Sequence, residues 1–361
     1  MIQIIRNKEI ASIVDSVNKE WDINASIRDA NFSAFLPYTD PPENGIICFP
    51  KRLSFNFLLY QIIQKGWKKK NQLFYGNHLV NLNEMIVGAL NINDTEPADV
   101  LKNNYCKLLE DFLPIVLSFK DYNYNVTNVL LFFLFHELTH VRIAQQPSFF
   151  ESKKEELSKL VERAQCSIKR RMIKRLSSIK ELEEEVICDL VACKIIQNGV
   201  TNQTESIETY LDIIRTLNII NSISNIRNIY ITTKRNMFIT YWQLTQSKHT
   251  KLSEARLIFI NNFWKDGLLL DNKEVIKEIL SSNISLSLSQ EAKDFCRSEF
   301  EKGESYFNPD NRRAEEIEEE IYKSEESFIE SLINEPDSCE LNIPEEIDIN
   351  NNSLFDIVAQ K

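Results

Sequence analysis

The sequence predicts a mainly α fold of the α+β class, with a small β-sheet or hairpin near the N-terminal half. Long segments in which apolar residues recur at helical spacing predict the helices. The run Ile46–Phe49 predicts one short strand. Phe74–Val80 predicts a hairpin, because Gly76-Asn77 suits a two-residue turn between extended segments.

Residues 1–125 are expected to form a mixed region that packs on the core. Prolines together with Gly45 interrupt the pattern between residues 37 and 45. Helical spacing is found on either side of this interruption: in the first part of residues 1–35, in 53–67 and in 98–118.

Residues 126–300 are expected to form a helical core. Helical patterns recur through this part, in residues 126–141, 150–176, 178–197, 207–245 and 262–280. The charged stretch 150–176 carries five basic residues in a short span: Lys169, Arg170, Arg171, Lys174 and Arg175. Such a run suits a phosphate group or an acidic partner, although a solvated helix face is the commoner meaning.

Residues 301–361 are expected to be an acidic segment, helical in part and disordered after Pro336. Residues 301–350 contain 17 acidic and 4 basic residues, a local charge of -13 in a chain whose total is -11. The remainder is therefore close to neutral. A narrow apolar seam crosses the predicted acidic helix and comprises Ile317, Ile321, Phe328 and Leu332.

The composition excludes several classes of protein. An acidic surface does not favour nucleic acid, and no glycine-rich nucleotide-binding motif is present. The longest apolar run, Val129–Phe135, is far shorter than the ~20 residues of a membrane span. Seven scattered cysteines without a C-x-x-C pair, and no signal peptide at the start, indicate a cytoplasmic protein.

One motif in residues 126–141 carries chemistry. His136-Glu137-Leu138-Thr139-His140 is an H-E-x-x-H sequence at the end of an apolar run that predicts a buried helix. Residues four apart share a helix face, so both imidazoles can bind one ion. Glu137 is turned about 100° from His136 and is placed to hold a water molecule instead. Two buried histidines satisfied by their neighbours would be the structural alternative.

A second helix, predicted over Ser178–Gln197, carries two carboxylates on its apolar stripe. Glu185 and Asp189 lie four residues apart on the face that also bears Leu182 and Val186. Carboxylates on a buried face need compensation, and a metal with its histidine ligands would supply it. The neighbouring Glu181, Glu183 and Glu184 are expected to face solvent or to pair with Lys180.

H-E-x-x-H followed by E-x-x-x-D resembles the gluzincin class of zinc metallopeptidases, which implies a helical zincin-like catalytic core. The resemblance implies that His136, His140 and Glu185 bind Zn²⁺ and that Glu137 is the general base. It also implies that Asp189 holds the first histidine through a hydrogen bond. Three protein ligands would leave the fourth position of a catalytic zinc site for water.

A weaker resemblance extends to residue 260. Zinc proteases of the CaaX-processing and heat-shock types carry a late His-Pro followed by Arg, and His249-Thr250 with Arg256 is similar, with Thr in place of Pro. The resemblance implies that His249 and Arg256 act in catalysis, and His249, Tyr241 or Arg256 could stabilise the oxyanion. Soluble phage-exclusion peptidases of the Lit type are a further possible relative, which would imply a role in phage defence.

The function expected is that of a zinc-dependent endopeptidase acting on an intracellular protein, with a regulatory partner as one means of restraint. The acidic segment is expected to be dispensable for zinc binding. The alternative is a non-catalytic interaction or regulatory protein with a structural or vestigial metal site, whose acidic tail binds a partner. Substitution of Glu137 discriminates them, because only an enzyme requires a base.

Overall fold

The computed structural model describes residues 2–3, 7–30, 32, 34, 36–65, 70–91, 95–118, 124–164, 166–179, 181–199, 205–217, 220, 255–260, 264 and 311–334. Over these ranges the chain is mainly helical with a small N-terminal sheet, which confirms the predicted fold class. The labelled helices are α1 (Asn7–Trp21), α2 (Leu53–Lys65), α3 (Lys70–Asn91), α4 (Thr95–Leu117), α5 (Val126–Gln145), α6 (Pro147–Arg163), α7 (Cys166–Ser178), α8 (Leu182–Gly199) and α9 (Asn311–Asn334). Residues 205–217 and 255–260 are also helical.

The strands are short and form two small sheets. The first has three strands in the order β2-β4-β3 and contains β2 (Ser26–Asp29), β3 (Tyr38–Thr39) and β4 (Ile46–Phe49). Strands β2 and β4 are parallel, whereas β3 and β4 are antiparallel. The second sheet pairs β1 (Ile2–Gln3) in parallel with β5 (Tyr124–Asn125), and β5 leads directly into α5. The strand predicted at Ile46–Phe49 is therefore confirmed.

The hairpin predicted at Phe74–Val80 is wrong, because these residues lie within α3. Gly76 serves helix packing instead of a turn. A Cβ atom at this position would lie 2.3 Å from Cγ1 of Ile63, so glycine permits α3 to approach α2 closely. A Gly-Asn pair is a local turn signal that this close packing overrides.

The charged stretch 150–176 is not one helix. It divides into α6 and α7, and Ala164 between them has an extended backbone with φ of -67° and ψ of 152°. Helix α6, before the break, carries both acidic and basic residues, whereas the charged residues of α7 are all basic.

Helix α5 is held in place at both ends. At its start, β5 pairs with β1. At its end, the side-chain amide of Gln145 accepts a hydrogen bond from the backbone N of Asn24 at 2.8 Å and donates one to its carbonyl at 3.0 Å. Gln146 Nε2 donates to the carbonyl of Trp21 at 2.7 Å. The helix that carries the motif is therefore fixed to the N-terminal region.

The acidic helix α9 belongs to the core, which the sequence did not predict. Ile317, Ile321 and Phe328 are buried, and the ring of Phe328 stacks on that of Phe112 with centroids 6.2 Å apart. Residues 311–334 of the acidic segment are therefore part of the packed core, while the expected dispensability of the segment for zinc binding stays a prediction. One narrow apolar stripe is sufficient for burial when two helices, α2 and α4, receive it.

In the ranges that the structure describes, no helix is both long enough and apolar enough to cross a membrane.

Candidate metal centre

The H-E-x-x-H motif lies in the middle of α5, where the helix is surrounded by the core. Phe132 and Phe133 before the motif and Leu138 within it are almost completely buried. Thr139, a weak helix former, is accommodated because its hydroxyl donates to the carbonyl of Phe135 at 2.7 Å. The apolar run therefore forces the polar residues of the motif into a protein interior, where each needs a partner.

Helix α8 supplies these partners by packing along α5. Its apolar stripe, which includes Leu182, Val186 and Cys193, is fully buried. Glu185 and Asp189 share that face, as the sequence predicts. Asp189 is completely buried, whereas the side chain of Glu185 keeps 22% of its exposure.

Three ligand atoms converge between α5 and α8. Nε2 of His136 lies 3.2 Å from Nε2 of His140 and 3.3 Å from Oε2 of Glu185. Nε2 of His140 lies 3.6 Å from Oε1 of Glu185. The edges of this triangle are close to the ~3.3 Å that separates ligands in tetrahedral zinc sites with bonds of 2.0–2.1 Å. The group His136, His140 and Glu185 thus has the spacing of a metal site.

The outer nitrogen of each imidazole contacts a carboxylate of α8. Nδ1 of His136 lies 2.9 Å from Oδ1 of Asp189, the contact implied by the gluzincin resemblance. Nδ1 of His140 lies 2.8 Å from Oε1 of Glu184. An ionised carboxylate only accepts hydrogen bonds, so each Nδ1 carries a proton, and in the neutral imidazole each Nε2 then has a free lone pair. In that neutral form, which metal binding requires, two lone pairs and a carboxylate face one another.

Arg256 completes the buried part of the site. Its guanidinium donates to both oxygens of Asp189, from Nε at 2.8 Å and from Nη2 at 2.6 Å. Nη1 lies 3.3 Å from Oε2 of Glu185. One arginine therefore holds the carboxylate that orients His136 and also contacts the third candidate ligand. Asp189 occupies two of its three nitrogens, and the expected role of Arg256 at an oxyanion stays a prediction.

The buried charges shift the acidities of the site. Burial and Arg256 lower the pKa of His136, but Asp189 and Glu185 outweigh both effects and raise it to about 9. Burial raises the pKa of Asp189, but Arg256 and His136 bring it below its ordinary value. For Glu185, too, burial acts to raise the pKa, and His136 and Arg256 lower it well below the usual range. Both carboxylates are thus ionised, and without a metal they favour the protonated form of His136 at neutral pH.

Glu137 is buried beside the triangle, with only 8% of its surface exposed. Burial raises the pKa of Glu137, although His136 and His140 partly oppose the effect. Within the described part of the chain, its carboxylate has no hydrogen-bond partner. A carboxylate in this position is free to accept a proton from a molecule bound at the centre.

The donor set and its charge fit zinc. Three carboxylates, those of Glu137, Glu185 and Asp189, surround a single guanidinium, that of Arg256, and the two imidazoles are neutral when their Nε2 atoms bind a metal. The buried group then has two negative charges in excess, which a divalent cation balances. Two imidazole nitrogens and one carboxylate oxygen are the ligands of a catalytic zinc site with one open position.

Sequence reasoning missed Glu184, which was expected to face solvent. The contact could have been predicted from the order of the residues, because the partners on α8 contact those on α5 in the opposite chain order. His136 and His140 are one turn apart on α5, and Asp189 and Glu185 are one turn apart on α8, so pairing His136 with Asp189 brings the first turn of α8 to His140. A carboxylate for Nδ1 of His140 could have been sought there.

His78 does not belong to this group. His78 lies on α3 and is half-buried. His249, and with it Tyr241, lies outside the described residues, so the structure does not place these two expected contributors.

Comparison of the chain with protein-family models gives no match, and comparisons with curated proteins and with solved structures give none either. The interpretation of the site therefore depends on its own geometry.

Proposed function

We propose that the protein is a zinc-dependent endopeptidase of the gluzincin type, which hydrolyses a peptide bond of a protein substrate. One observation carries the proposal: Nε2 of His136, Nε2 of His140 and the carboxylate of Glu185 converge with edges of 3.2, 3.3 and 3.6 Å beside the buried Glu137. Each imidazole is oriented by a carboxylate on its other nitrogen. This arrangement combines three ligands, one open position and one base.

In the reaction, His136, His140 and Glu185 would hold the zinc ion. Zinc, when bound, supplies a Lewis acid that polarises a carbonyl oxygen and lowers the pKa of water toward about 7. Glu137 takes the proton of the attacking water and returns it to the nitrogen of the leaving amine. The new C–O bond forms first, as the carbonyl π bond opens. When the carbonyl re-forms, the C–N bond of the protonated nitrogen breaks, and the products are a carboxylic acid and an amine.

The remaining residues act by holding the others. Asp189 and Glu184 keep both imidazoles in the tautomer that presents Nε2, and Arg256 holds Asp189 and contacts Glu185. Because these contacts exist before any substrate arrives, the site does not have to reorganise during the reaction.

The cytoplasm is the compartment that we propose. The cysteines of the described residues are all free: Cys48, Cys106, Cys166, Cys188 and Cys193. Free thiols are typical of a reducing compartment. A role in phage defence, implied by the Lit-type resemblance, is part of the same proposal.

The test compares wild type with Glu137→Gln. Both chains are expected to bind about one zinc per chain by elemental analysis, because Glu137 is not a ligand. Cleavage profiling of a cell proteome should show products with wild type only, since the substitution is nearly isosteric and removes the base. Equal cleavage by both chains would exclude Glu137 as the base. Absence of zinc, together with no uptake on titration, would overturn the proposal.

The same comparison decides the alternative of a structural metal site in an interaction protein. A structural site would bind zinc in both chains, and neither chain would produce cleavage products. Thermal unfolding with and without zinc would then show whether the ion only stabilises the fold.

A further inference from the structure

Helix α7 presents a basic surface that the catalytic site does not use. The helix contains five basic residues and no acidic residue in 13 positions. Its inner side is marked by the buried Met172. We define the basic face of α7 as the exposed residues Arg170, Arg171, Ile173 and Lys174.

These charges are not neutralised within the described residues. Lys169, which is half-buried and not part of the basic face, pairs with Glu162 of α6. Arg170, Arg171 and Lys174 have no carboxylate partner there. Ile173 lies among them with 47% of its surface exposed, as one of the few large apolar side chains on the described surface. The basic face therefore combines unneutralised positive charge with an apolar contact.

The basic face lies close to the metal centre. Helix α7 ends at Ser178, and α8 begins at Leu182. The backbone N of Leu182 donates to the carbonyl of Ile179 at 3.2 Å, so the connection is a tight turn. At about 3.5 Å for each extended step from Ser178 to Leu182 and 1.5 Å for each helical step from there to Glu185, Ser178 and Glu185 are at most ~19 Å apart.

The solvent-facing edge of the centre lies at the same end of α8. Glu183 and Glu184 keep 43% of their side-chain exposure, whereas Asp189, one turn and more further along, is completely buried. On α8, the solvent-exposed part of the centre is therefore the first turn, next to the end of α7.

We infer that the basic face of α7 binds an acidic segment of the protein substrate. The inference depends on the proposed peptidase function and names its substrate class: proteins with several Asp or Glu residues near the cleaved bond. The acidic groups contact Arg170, Arg171 and Lys174, and an apolar side chain contacts Ile173. Arg170, the basic residue farthest from the centre, lies ~12 Å from Ser178 along α7. An extended chain covers ~3.3 Å per residue, so the acidic residues lie within about nine residues of the cleaved bond.

An acidic peptide fits this surface better than a nucleic acid does. The chain has a net charge of -11, and the exposed edge of the centre beside α7 is itself acidic. A continuous polyanion would approach these carboxylates, whereas a short acidic block can bind α7 and place neutral residues at the centre. The exposed Ile173 also suits a peptide side chain.

The test measures binding separately from cleavage. The full chain with Glu137→Gln and bound zinc is titrated against a fluorescent decapeptide with five Glu and one Ile, and against a matched peptide with Gln in place of Glu. Anisotropy at low salt should show preferential binding of the acidic peptide, with affinity that falls as salt is added. Adding R171E and K174E should weaken binding on the order of tenfold or more, since four units of charge change at the contact.

The matched control adds R28E and K107E to the same Glu137→Gln chain. Both positions are exposed, on β2 and α4, and the total charge change is identical. This control should bind the acidic peptide as before. Equal loss in both variants would show that net charge, not α7, attracts the peptide, and would overturn the inference. Equal binding of the Glu and Gln peptides would also overturn it.

Two further experiments test whether a different ligand occupies the basic face. A single-stranded decanucleotide that binds more tightly than the peptide, and only when Arg171 and Lys174 are present, would make α7 a nucleic-acid site. Carbodiimide cross-links from Lys174 to acidic residues beyond residue 334 would assign the face to the chain's own acidic segment. Either result overturns the inference.

The experiments distinguish a failure of the proposed peptidase function from a failure of the inferred peptide-binding surface. If the peptide requires Arg171 and Lys174 for binding but wild-type chain cleaves nothing, the docking surface stands and the peptidase proposal does not. If wild type cleaves and R171E with K174E binds peptide normally, the reverse holds.

Discussion

Two clusters of buried charge in the described part of the chain differ in how the charge is balanced. Between α2, α4 and α9, Arg52 donates to both oxygens of Glu325, and Tyr105 donates its hydroxyl to the same carboxylate at 2.5 Å. Burial and the charge of Glu325 raise the pKa of Tyr105 well above its usual value, so it remains a neutral donor. One positive and one negative charge cancel, and we refer to this group as the balanced cluster.

The candidate metal centre also contains a buried arginine and carboxylates, but its net charge is different. Arg256 there contacts two carboxylates, whereas Arg52 contacts one, and Glu137 adds a third negative charge. Protons or a bound cation neutralise this excess of negative charge. A balanced cluster of buried charge needs no further partner, whereas the unbalanced cluster at the candidate metal centre supports the proposal that a cation binds there.

The largest expected effect comes from removing α9 and with it one half of the balanced cluster. A chain that ends at residue 310 loses the buried Ile317, Ile321 and Phe328, each worth about 1.5–3 kcal/mol. It also leaves Arg52 unpaired. The sum is comparable to the whole stability of a typical domain, about 5–15 kcal/mol, so the chain should not fold. Circular dichroism on heating would measure this.

A chain that ends at Asn334 is the control and should fold and bind zinc as the full chain does. This limits the dispensable part of the acidic segment to residues beyond α9. A folded, zinc-binding chain that ends at residue 310 would instead support the sequence-based expectation for the whole segment.

Arg52→Ala should lower the free energy of unfolding by about 3–5 kcal/mol, because Glu325 would stay buried without its cation. Urea unfolding provides the measurement. The double substitution Arg52→Met with Glu325→Leu removes both charges and should recover most of the loss. A double variant as unstable as Arg52→Ala would mean that packing, not charge balance, determines the effect.

At the metal centre, Glu185→Ala should release most of the zinc, with an affinity loss larger than that of Asp189→Asn. The latter removes an orienting charge but no ligand, so a loss of about 10–100-fold is expected. Competition with a chelator ranks the two. If Asp189→Asn empties the site while Glu185→Ala keeps zinc, the roles are reversed; if neither matters, the gluzincin assignment fails.

The smallest effect is expected at Glu184, which contacts Nδ1 of His140 but keeps 43% of its exposure. Glu184→Gln should lower the zinc affinity by less than tenfold, because water can replace an exposed hydrogen-bond acceptor. This loss is smaller than the loss of about 10-fold or more expected for buried residues that orient a ligand. Glu183→Gln, equally exposed but paired with Lys154, is the matched control and should leave zinc affinity unchanged. A loss at Glu184 as large as that at Asp189 would show that exposure does not weaken the contact.

The sequence by itself determined the elements that repeat a pattern. The helical spacing of α5 and α8, their apolar stripes, and the positions of Glu185 and Asp189 on the buried face could be read from it, because helix periodicity depends on local geometry. The strand at Ile46–Phe49 was equally local. The H-E-x-x-H spacing also required only one helix.

Tertiary structure decided whatever depends on which surfaces meet. The Gly76-Asn77 pair lies in a helix because α2 needs the space that a missing Cβ leaves. The acidic α9 is buried because α2 and α4 cover its narrow stripe and Arg52 neutralises Glu325. Glu184 reaches His140, and Arg256 holds Asp189 across 67 residues of sequence, because helix packing brings them together. Charge balance in the interior is a property of contacts distant in sequence, so no local pattern could predict it.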